Sequence, residues 1–347
     1  MTGTSLERRA VGRSELSVSV LGVPVERLLP TSFAAGEDPT AAAALNLLRN
    51  SGVTYFDAGP PSSTSERFLG EALPSDVPVT VECGVTLSGE LDPGSTPSAG
   101  FVPPTLGPGH RQPSAFGARP DEWSAELDAA VRRARDRLRR PRIDIAWLEV
   151  SDAHILSEPA VVGSMNQARR DHRVAAWGIR SVDSTPDSSL VGTAVRAGVD
   201  AVAMPFHLLN APAVAGLVAG VQMAGASVIC FDPHASGRLD GQLLRDGALL
   251  ERPGPPRPVV WSELRRELEP VARLGFLTSG RRRTLGQAAL QYAVDTAGVA
   301  SVLPDWRDPA RFAEWLDAVR REPLSEGERR AVEHPPPGSA TDESAGR

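Results

Sequence analysis

The chain is 347 residues long, 41% hydrophobic and 23% charged, with a net charge of −6. That balance describes a globular protein with a sizeable core and gives no electrostatic reason to expect nucleic acid or an anionic membrane as partner. All 37 basic residues are arginine, which excludes Schiff-base chemistry, a lysine general acid and a lysine phosphate clamp.

No apolar run reaches the ~18 residues of a membrane span. The first nine residues place Arg8 and Arg9 behind polar side chains with no apolar stretch following. No secretion signal is expected, and the expected location is cytoplasmic. Segments from Arg8 to Gly22 alternate in polarity around a Gly12-Arg13-Ser14 turn, predicting a hairpin that leads into a first strand ending near Gly22. Pro39 to Asn50 is Ala- and Leu-rich at helical spacing, and Gly52 suits its C-cap. Val53 to Phe56 reads as a buried strand that ends in Asp57 and runs through a polar turn into a helix starting near Ser63 or Ser65. Val77 to Gly84 is a third, β-branched strand.

From Val85 to Pro120 the sequence is crowded with Gly, Pro and Ser and holds no period. A loop of that length is either a functional lid or a surface insertion. Pro120 to Arg140 then forms a long helix with Trp123, Leu127, Ala130, Ala134 and Leu138 on one face and its arginines on a solvated one. Strands follow at Ile143–Val150, Val174–Ile179, Val199–Met204, Ala226–Phe231 and Val299–Leu303. Helical segments between them include Glu158–Arg170, Ala211–Met223, Trp261–Leu274 and Thr284–Thr296. Strand and helix alternating about eight times predict an α/β fold, a (β/α)8 TIM barrel with an N-terminal β-hairpin and a long loop after strand 3. Residues 1–333 form one domain, residues 85–120 its lid-like loop and residues 334–347 a disordered, Pro-rich tail. Cys83 and Cys230 read as buried small hydrophobes. Oligomeric state is not legible.

Several landmarks stand in one order along the chain. They include Gly12 to Gly22, Gly52 to Asp57 with Ser65-Glu66 and Leu69-Gly70, Arg142 to Ile145 and Trp177-Gly178-Ile179. Phe206 to Asn210, Gly225 to Pro233, Ser301 to Pro304, Arg307 to Pro309 and Glu314 complete the series. On these residues the chain, from about Arg9 to Val332, resembles the aldo-keto reductase family. The loop after the third strand looks most like that of its sugar-dehydrogenase branch. The resemblance implies a barrel and NADPH-dependent carbonyl reduction by an Asp-Tyr-Lys-His tetrad. Asp57 stands at the Asp position, Ser62 near that of the Tyr, Glu82 at the Lys and Glu149 at the His. The remaining tyrosines, Tyr55 and Tyr292, lie inside a strand and on a helix.

The cofactor contacts that the resemblance implies are altered as well. Arg180-Ser181 replaces a Ser-Asn pair, and Ala203 a Gln. Asp305 stands for a Gly beside the phosphate-binding segment and Trp315 for its closing Asn. Phe206 and Arg307 are the two remaining candidate cofactor contacts. No cofactor is therefore expected, with NADPH the alternative.

Aligned strand ends bring Asp57, Glu82 and Glu149 to one mouth, with Arg180, His207, Asp232 and His234 from the next strands. Carboxylates so grouped must share a proton or be balanced by a cation, either Arg180 or a divalent metal. The catalytic candidates are Asp57, Glu82, Glu149, Arg180, His207 and His234; no resident metal is predicted. The expected function is cofactor-independent acid–base chemistry on a small polar metabolite, of lyase, isomerase, cyclase or hydrolase type, in specialised metabolism. The alternatives are a non-catalytic pseudoenzyme that binds a ligand or serves as a scaffold, and a residual NADPH-dependent oxidoreductase. In the pseudoenzyme alternative Asp57 and Glu149 pair with Arg180, and the two histidines are structural. A small-molecule substrate is the expected partner, with no nucleic acid and no membrane.

Overall fold

The structure is a computed structural model. It describes residues 5–29, 39–59, 63–73, 75, 77, 80–86, 120–149, 153–180, 187–240, 269–281, 283–306 and 309–335. A hairpin of β1 (Arg8–Ala10) and β2 (Ser17–Ser19) opens the chain. It leads into an eight-stranded parallel sheet built from β3 (Val23–Pro24), β4 (Tyr55–Asp57), β5 (Thr80–Thr86), β6 (Ile143–Glu149), β7 (Val174–Arg180), β8 (Ala201–Pro205), β9 (Ser227–Phe231) and β10 (Val299–Leu303). Each strand pairs with its neighbour in sequence. The circle closes just before β3, where Leu21 bridges to Val302 in parallel. Two hydrogen bonds flank that bridge, Gly22 N–H to the Val302 carbonyl and Val302 N–H to the Val20 carbonyl, both 2.9 Å. The expected (β/α)8 barrel is the observed one.

The expected first strand is divided. The hairpin takes Ser17–Ser19, and the barrel strand proper begins beyond Gly22 and is two residues long. Gly22 is where the chain crosses the barrel wall at close quarters. A Cβ there would sit 2.3 Å from a ring carbon of Tyr55 and 2.6 Å from Leu303. Strand ends also run further than their sequence signals, since Asp57 and Arg180 are each the last residue of their strand. β5 continues through Thr86, two residues into the stretch expected to be irregular; residues 87–119 lie outside the described residues, as do 336–347 of the tail.

Two apolar layers hold the barrel. Tyr55, Ile145, Trp147, Ala176, Ala201, Ala203, Ile229 and Leu303 fill the lumen, and the hairpin's Val11 and Val18 close it from below. The opposite strand faces pack against helices. α1 (Pro39–Asn50), α2 (Ser63–Ala72) and α3 (Pro120–Leu138) are followed by α4 (Pro159–Arg170), α5 (Ser188–Arg196) and α6 (Ala211–Met223). In α3 the buried positions Leu127, Val131, Ala134 and Leu138 recur at three- and four-residue spacing, the stripe an amphipathic helix needs. α7 (Leu285–Val294) is buried at all ten positions, and its polar Gln287 and Gln291 are satisfied by Asp317 and by the Ala318 and Glu322 carbonyls.

Among the described residues, α5, α8 (Pro309–Ala318) and α9 (Glu326–Glu333) are helices to which the sequence reading gave no bounds. The expected Trp261–Leu274 helix falls mostly outside the described residues, and a 3-10 stretch occupies Leu274–Arg281. No helix among the described residues is long and apolar enough to cross a membrane.

Candidate active site at the barrel mouth

The C-terminal ends of β4 and β7 bring Asp57 and Arg180 into contact. One terminal nitrogen of Arg180 lies 3.0 Å from Oδ1 and 3.1 Å from Oδ2 of Asp57. Oδ1 also accepts the Gly59 N–H at 2.7 Å, from a residue whose φ of 79° only glycine takes without strain. The pair is withdrawn from water, with side-chain exposures of 2% for Asp57 and 8% for Arg180. Removing two charges from water is expensive, so each must be met by hydrogen bonds or by its opposite.

The guanidinium of Arg180 is also walled by aromatic rings. Its central carbon stands 5.5 Å from the Trp147 ring and 5.9 Å from that of Phe231, within the range of cation–π attraction. One glycine makes this arrangement possible. A Cβ on Gly178 would meet Trp147 ring carbons at 2.3 and 2.5 Å, so the indole lies across the lumen only because that position has no side chain. The Trp147 Nε1–H is buried and has no acceptor among the described residues. An indole donor left dry and unpaired is uncommon, and it faces the same lumen as Arg180.

The other expected members lie on the neighbouring strands and the turns that follow them. Glu82 is in register with Asp57 on one side and Ile145 on the other, and Glu149 ends β6 opposite Thr86. Their side chains lie outside the described residues. His207 is bound into the turn before α6, its N–H donating to Asn210 Oδ1 (2.9 Å) and its Nδ1 accepting the Asn210 N–H (3.1 Å). Burial, reinforced by nearby Arg238, lowers its pKa to about 3. His234 donates from Nε2 to the Gly286 carbonyl at 3.2 Å and stacks on Trp315 with centroids 4.3 Å apart. Burial lowers its pKa to about 4. Both imidazoles are neutral at pH 7. Asp232 sits at φ 51° and accepts from Ser236 N–H (2.6 Å) and Ser236 Oγ–H (3.1 Å), closing its own turn.

Of the two candidate cofactor contacts, Arg307 lies outside the described residues. Phe206 is fully buried in the core with its ring 5.3 Å from that of Tyr292, and its carbonyl accepts the Cys230 thiol. The thiol, fully buried, is held protonated with its pKa pushed up. Cys230 is thus the small apolar residue expected. Among the described residues no cluster of three His, Cys, Asp or Glu side chains is placed to hold a metal.

The segment after β10 is packed with its own aromatic rings. Trp306 is completely buried and donates to the Gly22 carbonyl at 2.8 Å. Trp315 is 1% exposed and donates to the Asp305 carbonyl at 3.0 Å. Arg311 lies over the Trp315 ring and is bound by the Asp240 carbonyl and by Glu314. Trp147, Phe231 and Trp306 were missed by sequence reasoning. The available signal for the first two was the alternate-residue row of the lumen: Trp147 is two residues after Ile145, and Phe231 two residues after Ile229.

Comparison with known proteins agrees with this architecture. The model of the aldo/keto reductase family matches residues 31–334. The chain belongs to that family. Among solved structures it is similar to aldo-keto reductase AKR11C1 from Bacillus halodurans. The holo form gives a TM-score of 0.67 at 19% identity, covering 94% of this chain and 95% of that one. The apo form gives 0.64 at 18% identity over the same shares. At that identity the likeness establishes the barrel alone. No curated protein matches the chain.

Proposed function

We propose that this aldo/keto reductase family member is a cofactor-independent acid–base enzyme acting on a small polar, oxygen-bearing metabolite. The observation that carries this reading is the buried Trp147 N–H, without an acceptor among the described residues, facing the lumen beside the Asp57–Arg180 pair. It stands in a chain without lysine, and its two tyrosines are buried elsewhere, Tyr55 deep in the lumen and Tyr292 on α7 with its hydroxyl on Glu333. Asp57 holds Arg180 in place, and Arg180 and the Trp147 N–H are two donors turned toward a substrate oxygen on which negative charge develops. Glu82 and Glu149, from the two strands between, take the proton from carbon and return it to the leaving or neighbouring atom. Such a step is redox-neutral and belongs with elimination, isomerisation, cyclisation or hydrolysis in a cytoplasmic setting.

The residues present do not suit NADPH. Asp305 adds a carboxylate to the segment that would meet phosphate. Trp306, Trp315 and His234 fill their surroundings with packed rings, and Arg311 is already engaged by Glu314 and Asp240. No step is therefore routed through the nicotinamide.

A second reading, a ligand-binding protein without catalysis, draws on the same Asp57–Arg180 pair and on the locked hydrogen bonds of His207 and His234. Two measurements separate the readings. NADPH added to micromolar protein is expected to show no change in its fluorescence; saturable quenching with oxidation of NADPH by added carbonyl compounds restores the reductase. Incubation in D2O with a panel of oxo acids and polyols is expected to place deuterium on carbon in at least one compound. Glu82→Gln and Glu149→Gln are each expected to remove that exchange by at least 100-fold, the scale of a lost general base. Exchange that survives both substitutions rejects the acid–base assignment and leaves the binding protein.

A further inference from the structure

At the end of the barrel opposite the mouth lies an open groove of about 540 Å³. Arg13 from the hairpin turn, Arg169 from the last turn of α4 and Arg196 from the last turn of α5 line it, with Asp200 and Ala224. We propose that this groove binds a small phosphate-bearing anion, through the guanidinium groups of Arg13 and Arg196 placed around a fixed Arg169.

The floor of the groove is rigid. Asp200, 6% exposed, accepts the Trp177 N–H at 3.1 Å and Arg169 at 2.6 Å on the same oxygen. The Gly198 carbonyl holds the same Arg169 nitrogen at 2.7 Å. The hairpin turn is pinned to this floor. Gly12 donates to Ser227 Oγ at 2.8 Å, and a Cβ on it would lie 2.1 Å from the Asp200 carbonyl oxygen. Arg13 leaves that turn and runs over Gly225, which has φ 80° and would bring a Cβ within 3.5 Å of it.

The charge balance favours an anion. Asp200 is the one carboxylate among the lining residues, and Arg169 uses it. Arg196 has a single described bond, to Thr193 Oγ1, and Arg13 has none. Helix C-termini carry partial negative charge that would oppose an incoming anion. Here their last carbonyls are taken up by the turns that follow: Ala197 to Val199 bond back into α5, and Ala224 to Ala226 into α6. Among the described residues no carboxylate pairs with Arg13 or Arg196, in a chain whose overall charge is −6. Guanidinium forks match the oxygens of phosphate in pairs, which favours phosphate over a single carboxylate.

Isothermal titration of the full chain with inorganic pyrophosphate at ~20 mM salt tests the assignment; at that strength screening is weak. One site is expected, with affinity falling as salt is raised, and at least tenfold weaker in Arg13→Ala/Arg196→Ala. Both side chains are exposed, so the double variant should keep its circular dichroism spectrum and midpoint of unfolding. Three results overturn the proposal. One is no binding at low salt. Another is binding left unchanged by the double substitution, which would place the anion elsewhere. The third is binding of hexaglutamate without pyrophosphate, which would make the groove a docking site for an acidic protein segment.

Discussion

At the scale of single residues, the Asp57–Arg180 pair decides what the mouth can do. Its partners are both nearly dry, so losing either leaves the other as an uncompensated buried charge. Arg180→Ala is expected to destabilise the fold by about 3–5 kcal/mol in guanidinium unfolding. Asp57→Asn/Arg180→Met, which removes both charges at similar volume, should recover most of that loss. A cycle in which the double variant is as unstable as the sum of the singles would show that the two side chains do not act as a pair. The sequence made Asp57 legible because it ends a β-branched strand and begins a polar turn. Arg180 was legible only as one candidate counter-charge among several, because pairing across 123 positions leaves no local trace. The walls were not legible. Trp147 reads as one more apolar residue in an apolar strand, and only the absence of a side chain at Gly178 reveals where the indole goes.

At the scale of elements, small residues inside strands and at helix starts hold the parts in register. Gly178 is the sharpest case. Gly178→Ala is expected to destabilise by about 1–3 kcal/mol, the usual penalty of overpacking, because Trp147 must swing away. Its displacement should also change Trp147 fluorescence; a variant with unchanged stability and emission spectrum would mean that the ring has room to spare. Helix starts are a milder version of the same control. Thr284 caps α7 reciprocally with Gln287, and Ser325 caps α9 with Glu328. Thr284→Ala should lower stability by ~1 kcal/mol, measured as a shift in the midpoint of chemical unfolding. Those two caps also show why some helices were visible and others not. The Thr284 signal preceded a long apolar segment and was read as a helix. The equivalent Ser325-x-x-Glu328 signal preceded a charged segment, Glu326 to Glu333, with Val332 its one buried residue, so periodicity gave it no support. α5 and α8 are short, so each offers few turns of pattern.

At the scale of the whole molecule, the barrel keeps its family outline while the seam between strands and outer helices has been filled with neutral, packed groups. His207 and His234 both lie in that seam, one before α6 and the other between β9 and the segment after β10. Each is nearly fully buried with its pKa lowered from 6.5, to about 3 and about 4. The direction of the linkage follows. Both residues bind protons more readily unfolded than folded, so the stability they permit is complete above the unfolded value near pH 6.5. It is lost as pH falls through the window from 6.5 toward 4 for His234 and toward 3 for His207. At pH 5 each group is 1.5 units below its unfolded value, which at 1.36 kcal/mol per unit removes about 2 kcal/mol. Unfolding midpoints measured from pH 8 to pH 5 should be flat at first and then decline below about pH 6.5. His234→Leu, which keeps an apolar side chain beside Trp315, should remove about half of the decline even though it loses the hydrogen bond to Gly286. If that variant keeps the full slope while remaining folded, the imidazole is solvated or charged in the native state, and the neutral, closed seam on which the rejection of NADPH partly rests is wrong.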